Sequence, residues 1–368
     1  MVLGAFREWV NRLSAKAVVQ RLDKRRDQHE IDIHRLFLLT CHWHDVSQGK
    51  SIDEDYADKL SEEASNIGFE KQKSAVNTML SGQVMDIAAK LHSILENDTV
   101  PEARDPVQFM PRIDLTHDPN KKGKGLAMAT GADLTATGIR DAPFVPKMSM
   151  AEVAKNLKEI LKFSLQVGPS SVKDESSGNG LWIDGFAKLG SVVTLYPGVI
   201  FEPLWYRQMT DYPRVDANNP YLLARFDGAV LDAKPWGPGR VSLDAPLVVN
   251  PQRLHEEHLN SLEGRNPLAL AHYVNHPGKE HEPNIMVASV DLSFDQQRWL
   301  RPYIPNIVFR ADKTVPHEEG SVLPGLVLVA LRDLQDEEIF LNYRLSPHVK
   351  RPDWYTPVDK EEEWRRWA

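Results

Sequence analysis

Hydrophobic positions in the first part of the chain recur at the spacing of an α-helix. The longest stretch of this kind runs from Phe69 to Leu95, with an apolar residue every three or four positions. Shorter stretches surround Leu36 and cover Asp53 to Asn66. The periodicity therefore predicts a helical region over residues 1–98 that packs its apolar side on a neighbour. The stripe of the longest stretch consists of Val76, Leu80, Val84, Ile87, Leu91 and Ile94.

Residues 99–147 break this helical pattern. Proline or glycine recurs every few positions between Pro101 and Pro146, and no apolar period spans the stretch. Long irregular stretches are uncommon inside compact domains and are usually functional or disordered. The sequence therefore predicts an irregular Pro/Gly-rich linker here.

The pattern changes again after the linker. Ser149 and Glu152 have the spacing of a capping box, which predicts a helix that begins at this point. From Ser170 onward, short apolar runs separated by glycine and proline are typical of strands. We therefore predict an α+β fold, with a β-rich domain and its leading helix over residues 148–345. The predicted strands cover residues 181–183, 192–195, 221–226, 229–231, 285–290 and 326–331.

Composition excludes several classes of protein. No run reaches the roughly 18 apolar residues that a membrane span needs. The formal net charge of −8 argues against a nucleic-acid partner, which requires a concentrated basic face. The single cysteine, Cys41, excludes an internal disulfide and a zinc site built from several thiolates. On a helix, Cys41, His44 and Asp45 would share a face. This face is either a weak metal site or a polar helix end, and we expect no metal.

Both ends of the sequence suggest contacts with other proteins. The first residues form a basic amphipathic pattern, which resembles a mitochondrial presequence or is an ordinary docking helix of a cytoplasmic or nuclear protein. Residues 346–368 form a charged, Trp-rich tail with Trp354, Trp364 and Trp367. These tryptophans either fold back on the core or dock on a partner. We expect protein partners at the N-terminal helices and at this tail.

Three short motifs carry candidate chemistry. Gly178, Asn179 and Gly180 precede a predicted strand that opens with Leu181 and Trp182. Glycines permit a tight turn and the close approach of a ligand, because they lack a Cβ atom. The alternative is a plain β-turn. A dinucleotide-binding fingerprint does not fit, because no strand precedes the turn and the third glycine is missing.

The second and third motifs lie farther along the chain. Tyr273, Asn275 and His276 stand at the end of an apolar run, where they either contact a ligand or cap a helix C-terminus. The third motif is an acidic turn with Glu337 and Glu338, followed by apolar residues and a tyrosine at position 343. Its alternative is a β-hairpin with a charged turn.

In this order, the three motifs resemble those of the SET domain family. The first matches its Gly-x-Gly-aliphatic-aromatic turn, the second its Asn-His pair, and the third its Gly-Glu-Glu turn and Asp-Tyr ending. Pro283 and Asn284 match the Pro-Asn pair that closes the family's second motif. The resemblance covers Ser170 to Arg344 and is strongest to one subfamily, in which Asn also precedes the last tyrosine. The departures are Pro277 for Ser, no following Cys, a longer gap to Pro283, Asp336 for Gly, and Asn342 for Asp.

The resemblance implies a pseudo-knotted, β-rich SET domain and the activity of an S-adenosylmethionine-dependent protein-lysine N-methyltransferase. Tyr343 would line the lysine channel and orient the substrate nitrogen, Tyr273 would shape its floor, and Tyr196 is a weaker candidate for the same channel. The departures leave open a catalytically degenerate SET-fold subunit or scaffold in a larger, mitochondrial assembly. Side chains that fill the cofactor pocket would favour this alternative. The residues implied to bind the cofactor are Gly178, Asn179, Gly180, Leu181, Trp182, Asn275 and His276.

Overall fold

A computed structural model describes residues 24–53, 55–96, 149–174, 177–203, 219–234, 266–295, 297–309 and 322–368. Helices and strands are mixed along the chain, which confirms the predicted α+β class. The helices in the described ranges are α1 (Lys24–Ser47), α2 (Tyr56–Ser65), α3 (Phe69–Glu96), α4 (Met150–Leu161) and α5 (Lys360–Trp367). The strands are β1 (Phe163–Pro169), β2 (Asn179–Ala187), β3 (Val192–Leu195), β4 (Gly198–Phe201), β5 (Leu222–Ala224), β6 (Val230–Asp232), β7 (Ile285–Leu292), β8 (Asn306–Phe309), β9 (Leu323–Ala330), β10 (Leu334–Gln335) and β11 (Glu338–Ile339).

Helix α3 connects the helical layer to the β-rich part. Its predicted apolar stripe is buried in the common core, except for the partly buried Ile94. The buried amide of Gln83 also spans the two layers, because it donates to the Gly190 carbonyl at 3.1 Å and accepts from the Val192 N–H at 2.7 Å. Buried backbone groups at this strand end are thus satisfied by a helix side chain. The helical layer therefore packs on the sheets as predicted.

The strands form small sheets that share one core. Strand β2 pairs with β1, β10 and β11; β9 lies between β3 and β7; and β4 lies between β6 and β8. Most pairs are antiparallel, whereas β4 and β8 run parallel. In β3, β4 and β9 every residue is buried, as expected for strands covered on both faces.

Helix α4 begins as its sequence predicts. The hydroxyl oxygen of Ser149 accepts the N–H of Glu152, and the Glu152 carboxylate accepts the N–H of Ser149 at 2.7 Å. The helix ends at Lys162, in the left-handed conformation, and leads directly into β1. Strand β1 is missing from the sequence prediction, because its exposed Gln166, Val167 and Pro169 interrupt the apolar run.

The tail folds back on the chain. Helix α5 is capped by Asp359, whose side chain accepts the N–H of Glu362 at 2.9 Å. It packs on α1, where Arg365 donates to Gln28 at 2.8 Å. The tail thus folds back on the chain, and the docking of its tryptophans on a partner stays a prediction.

Two sequence predictions lie outside the described residues. They are the basic amphipathic segment at the start of the chain and the Pro/Gly-rich linker, so the mitochondrial assignment stays a prediction. The pseudo-knotted threading also stays a prediction. Across the ranges that the structure describes, no helix is both long and apolar enough to span a membrane.

Candidate functional site

The three sequence motifs meet near the start of strand β2. Strand β11 pairs antiparallel with β2, placing Glu338 opposite Trp182 and Ile339 opposite Leu181. The next residue, Phe340, bridges to Asn275 in parallel orientation. The acidic turn therefore continues past the glycine turn to the Asn-His pair. Segments far apart in sequence form one site, as the order of the motifs predicts.

The two glycines of the turn have different surroundings. Gly178 has a φ of +53°, a left-handed conformation that favours glycine, and no heavy atom of the described residues lies within 4 Å of an added Cβ. At Gly180, an added Cβ would lie 2.0 Å from a carboxylate oxygen of Glu338. The open side of the turn is therefore at Gly178, next to the exposed Asn179. The space beside Gly180 is occupied by protein.

Leu181 and Trp182 hold the turn on the sheet. The Leu181 side chain is fully buried in the core. Trp182 is half-buried, and its indole N–H donates to the Pro169 carbonyl at 3.2 Å. Their side chains anchor the turn to the sheet, and the predicted cofactor contacts of Leu181 and Trp182 stay predictions.

Asn275 ties the Asn-His motif to the glycine turn. Its side-chain amide donates to the carbonyls of Ser177 and Asn179, each at 3.1 Å. Its backbone carbonyl accepts the N–H of Leu341 at 3.0 Å. Both the side chain and the carbonyl of Asn275 therefore hold protein segments together at this site.

His276 connects the tyrosine motif to the tail. Its Nδ1 accepts the backbone N–H of Tyr343 at 3.3 Å, so the ring proton is on Nε2, which donates to the Thr356 carbonyl at 2.8 Å. The ring stacks on Tyr355 with centroids 4.4 Å apart. Burial lowers the pKa of His276, which keeps the ring neutral in this arrangement.

Tyr343 lies between the Asn-His motif and the tail. Its hydroxyl donates to the Val274 carbonyl at 2.8 Å, and its ring makes an edge contact with Trp354 at a centroid distance of 6.3 Å. Burial raises the pKa of Tyr343, so the phenol keeps its proton at neutral pH. The proton is directed to the carbonyl, which leaves the oxygen lone pairs as acceptors.

Two more tyrosines accompany Tyr343. The hydroxyl of the buried Tyr196 donates to the backbone carbonyl of Tyr221 at 2.8 Å. Burial raises the pKa of Tyr196, and the nearby Tyr343 raises it further. Tyr221 in turn raises the pKa of Tyr343. The three phenols therefore lie within electrostatic range of one another. Sequence reasoning missed Tyr221, because a tyrosine in a predicted strand is not distinctive.

Tyr273 and His272 lie on a 3-10 turn, Ala271–Tyr273, which Val274 separates from the Asn-His pair. Their ring centroids are 4.5 Å apart. Burial lowers the pKa of His272 to about 4. Within the described part of the chain, neither of its ring nitrogens has a hydrogen-bond partner. Tyr273 is partly buried against the core, and its predicted place in the channel floor stays a prediction.

Asn284 fixes the segment that leads to Tyr343. The buried amide of Asn284 donates to the Glu338 carbonyl at 2.9 Å and accepts the N–H of Phe340 at 2.7 Å. It is the asparagine of the Pro-Asn pair that the sequence singled out, without a role assigned to it. The structure indicates that this role is to hold the third motif in register with β7.

Arg344 anchors the residue next to Tyr343 to both ends of the fold. Its guanidinium binds Asp32 of α1 through two hydrogen bonds, of 2.7 and 2.9 Å, and also pairs with Glu362 of α5. Burial alone would raise the pKa of Asp32, but the charge of Arg344 lowers it. We call these three residues the charge clamp. The indole N–H of Trp367 also donates to the Arg344 carbonyl, at 2.6 Å.

The departures from the family pattern have local explanations. Asp336, where the family has glycine, adopts a φ of +47° and accepts the N–H of Gly185 at 2.7 Å. Aspartate tolerates this conformation better than most residues. Asn342 accepts the N–H of Arg344 at 3.0 Å, a turn contact that an aspartate would also make.

The candidate metal face on α1 has no converging set of ligands. Over the ranges that the structure describes, no group of three or more His, Cys, Asp or Glu side chains is placed to hold a metal ion. Burial raises the pKa of Cys41 to about 11, which disfavours the thiolate that metals bind.

Comparison with known proteins finds two relatives, both of which contain a SET domain. The chain is 30% identical over 195 residues to SET domain-containing protein 9 of Homo sapiens, a match that covers 51% of this chain and 60% of the human protein. The protein of the same name from Pongo abelii is also 30% identical over 195 residues, with 66% of its length covered. No family model matches the chain. The match thus spans less than two thirds of each relative.

These similarities establish a SET domain family relationship, as the motif order predicts. Within the family, both relatives are SET domain-containing protein 9, which is the subfamily that the Asn-Tyr ending suggested. The relationship suggests a family of protein methyltransferases. The roles of individual site residues stay predictions.

Proposed function

We propose that this chain is a SET-type protein-lysine N-methyltransferase that uses S-adenosylmethionine. The observation that carries the proposal is the position of Tyr343. Its phenol lies in a group of neutral tyrosines, where the Asn-His pair meets the segment that crosses the glycine turn. Proteins of the SET family generally use this cofactor, and two relatives of the family match half of the chain.

The tyrosines can prepare an amine for methyl transfer. When bound, the cofactor supplies an electrophilic methyl group on a sulfonium, and the protein supplies position and electrostatics. The hydroxyl protons of Tyr343 and Tyr196 are both directed to backbone carbonyls. Their oxygens can therefore accept N–H bonds from a lysine amine and orient its lone pair. Burial among neutral phenols lowers the pKa of an amine, which favours the nucleophilic, uncharged form.

The glycine turn and the Asn-His pair fit the cofactor at their open side. Gly178 leaves free space among the described residues, Asn179 is exposed, and the Asn275 amide binds the Asn179 carbonyl. These residues would hold the cofactor through backbone groups, because the side chains of Asn275 and His276 already bind protein carbonyls.

The test is thermal unfolding of the purified chain with S-adenosylmethionine and with S-adenosylhomocysteine. A ligand at about 100 times its dissociation constant adds roughly 2.7 kcal/mol, which shifts the melting temperature of a domain of this size by several degrees. We expect both ligands to raise it, and Asn275→Ala to abolish the shift. A well-folded protein that responds to neither ligand would contradict the proposal.

The second candidate function is a SET-fold scaffold without catalysis. Two observations favour it. The side chains of Glu338 and Asn275 fill the space beside Gly180, and the tail leaves tryptophans exposed to solvent. The same measurement separates the candidates, because a scaffold would unfold at the same temperature with and without either ligand. The exposed tryptophans are Trp354 (38%), Trp364 (52%) and Trp367 (42%).

A further inference from the structure

We propose that Glu338 is a positioning residue for the cofactor, which acts by fastening one end of the glycine loop. We define the glycine loop as the described residues 170–174 and 177–180. The consequence for the cofactor depends on the proposed function. The fastening of the loop does not depend on it.

Glu338 binds the start of the glycine loop with its whole carboxylate. Oε1 accepts the hydroxyl of Ser170 at 2.7 Å, and Oε2 accepts both the N–H and the hydroxyl of Ser171 at 2.6 Å. The Glu338 side chain is buried, with the residue 3% exposed. Charge-assisted hydrogen bonds of this kind are about twice as strong as neutral ones. Glu338 is therefore the main attachment of this end of the loop.

The other end of the loop has an attachment of its own. The Asn275 amide donates to the carbonyls of Ser177 and Asn179, just before the turn at Gly180. Glu338 and Asn275 thus hold the two ends of the loop. Gly178, at whose open side the cofactor would bind, lies between the two carbonyls that Asn275 holds.

Gly180 is required by Glu338. A Cβ on Gly180 would lie 2.0 Å from Oε1 and 2.8 Å from the carboxyl carbon of Glu338, whereas its distance to the Asn275 amide would be 3.4 Å. The backbone of Gly180 is not in the left-handed region, since its φ lies outside +20° to +160°. An alanine here would therefore displace the Glu338 carboxylate from its bonds to Ser170 and Ser171. This differs from Gly178, where the backbone conformation requires glycine.

A surface ion pair on the same loop offers a matched comparison. Lys173 lies 3.2 Å from Glu280, and their side chains are 83% and 71% exposed. Exposed pairs of this kind contribute little, because water and salt screen them. The loop therefore depends on Glu338 and gains almost nothing from Glu280, although both are glutamates that contact it.

The first experiment compares Glu338→Ala, Glu338→Gln and Glu280→Gln. It measures S-adenosylhomocysteine affinity by calorimetry and amide hydrogen exchange in residues 170–179. For Glu338→Ala we expect about ten-fold weaker affinity, from the loss of the charge-assisted bonds, and faster exchange in the loop. Glu338→Gln keeps the shape of the side chain, so its ligand affinity and its loop exchange should lie between those of Glu338→Ala and the wild type. Glu280→Gln should match the wild type in affinity and in exchange.

A second set of variants guards against misfolding. Ser171→Ala removes one bond to Glu338 from the exposed face of the loop, and we expect a smaller change in the same direction. Gly180→Ala should weaken binding strongly. The double variant Gly180→Ala with Glu338→Ala should bind the ligand as well as Glu338→Ala alone, because the alanine at position 180 then has no carboxylate to displace.

The outcomes separate this proposal from the proposed function. If Glu338→Ala leaves loop exchange unchanged in a folded protein, the fastening is wrong whether or not the cofactor binds. If the wild type binds no S-adenosylhomocysteine but Glu338→Ala speeds loop exchange, the proposed function fails and the fastening stands. If the double variant loses as much binding free energy as the two single variants together, Glu338 is not the reason that position 180 requires glycine.

Discussion

The glycine loop and the segment after Tyr343 are held by different physical means. The loop is fastened by hydrogen bonds from Glu338 and Asn275 to hydroxyls and backbone groups. The segment after Tyr343 is held by the charge clamp, in which two carboxylates share the buried guanidinium of Arg344. The first attachment uses motif residues, and the second uses residues outside every motif.

The comparison shows where failure of each attachment should appear. Breaking a buried ion pair leaves an unpaired charge away from water, which is costly for the whole fold. Breaking a loop attachment frees a surface segment whose core neighbours stay packed. The charge clamp should therefore control stability, and the loop attachment should control ligand affinity.

The largest expected effect follows from breaking the charge clamp. Asp32→Ala should lower the free energy of unfolding by about 3 to 5 kcal/mol, because Arg344 then stays buried with half of its partners missing. Urea denaturation measures this change. The triple variant Asp32→Leu, Arg344→Met and Glu362→Leu, which removes all three charges of the clamp, should recover most of the loss. If Asp32→Ala lowers ligand affinity but not stability, the contrast between the two attachments is wrong.

A second prediction tests Tyr343 separately from the loop attachment and the charge clamp. Tyr343→Phe keeps the ring contacts and removes the oxygen that would orient the amine. We expect methyl transfer to fall about 100-fold, with cofactor affinity retained and stability lowered by about 1 kcal/mol. Transfer of labelled methyl groups to lysine-containing protein mixtures measures this. Tyr303→Phe, which removes a hydroxyl that bonds to His92 of α3, is the control and should keep full activity.

A third prediction concerns acid. Burial lowers the pKa of His272 from 6.5 to about 4, so the unfolded chain binds this proton more tightly than the folded chain. The stability that the neutral ring contributes is fully present above pH 6.5 and is lost as the pH falls toward 4. His272→Phe should therefore reduce the loss between pH 7 and 5 by about 1 to 2 kcal/mol.

Urea denaturation at both pH values measures this difference, with the exposed His44→Gln as the control. The pKa of His29 is also lowered to about 4 by burial, so part of the acid sensitivity should persist in His272→Phe. An acid dependence identical to that of the wild type would show that His272 does not contribute.

The smallest expected effect is at the exposed tail. Trp364→Ser should change the free energy of unfolding by no more than about 0.5 kcal/mol, because the side chain is half exposed and lies outside both attachments. Thermal unfolding measures it. A large loss would mean that α5 depends on this tryptophan, and that the tail controls stability as the charge clamp does.

The sequence predicted the parts of the site that depend on local patterns. Periodicity placed α3, the capping box placed α4, and motif order placed Asn275 beside the glycine turn. The attachments were missed for physical reasons. Asp32 lies in an ordinary helical stretch, and nothing in it points to Arg344. Gly180 carried a signal, but its neighbour Glu338 is identified only by the pairing of β2 with β11.

The charge clamp also constrains how the protein is made. Asp32 and Arg344 are 312 positions apart, so at roughly 5 to 20 residues per second the ribosome needs about 15 to 60 seconds to deliver the second after the first. During that time α1 carries an acidic group whose partner does not exist yet. The ring of Tyr343 contacts Trp354 and the ring of His276 stacks on Tyr355, so these contacts form only after the tail has emerged, and a chain that terminates before Trp354 lacks them.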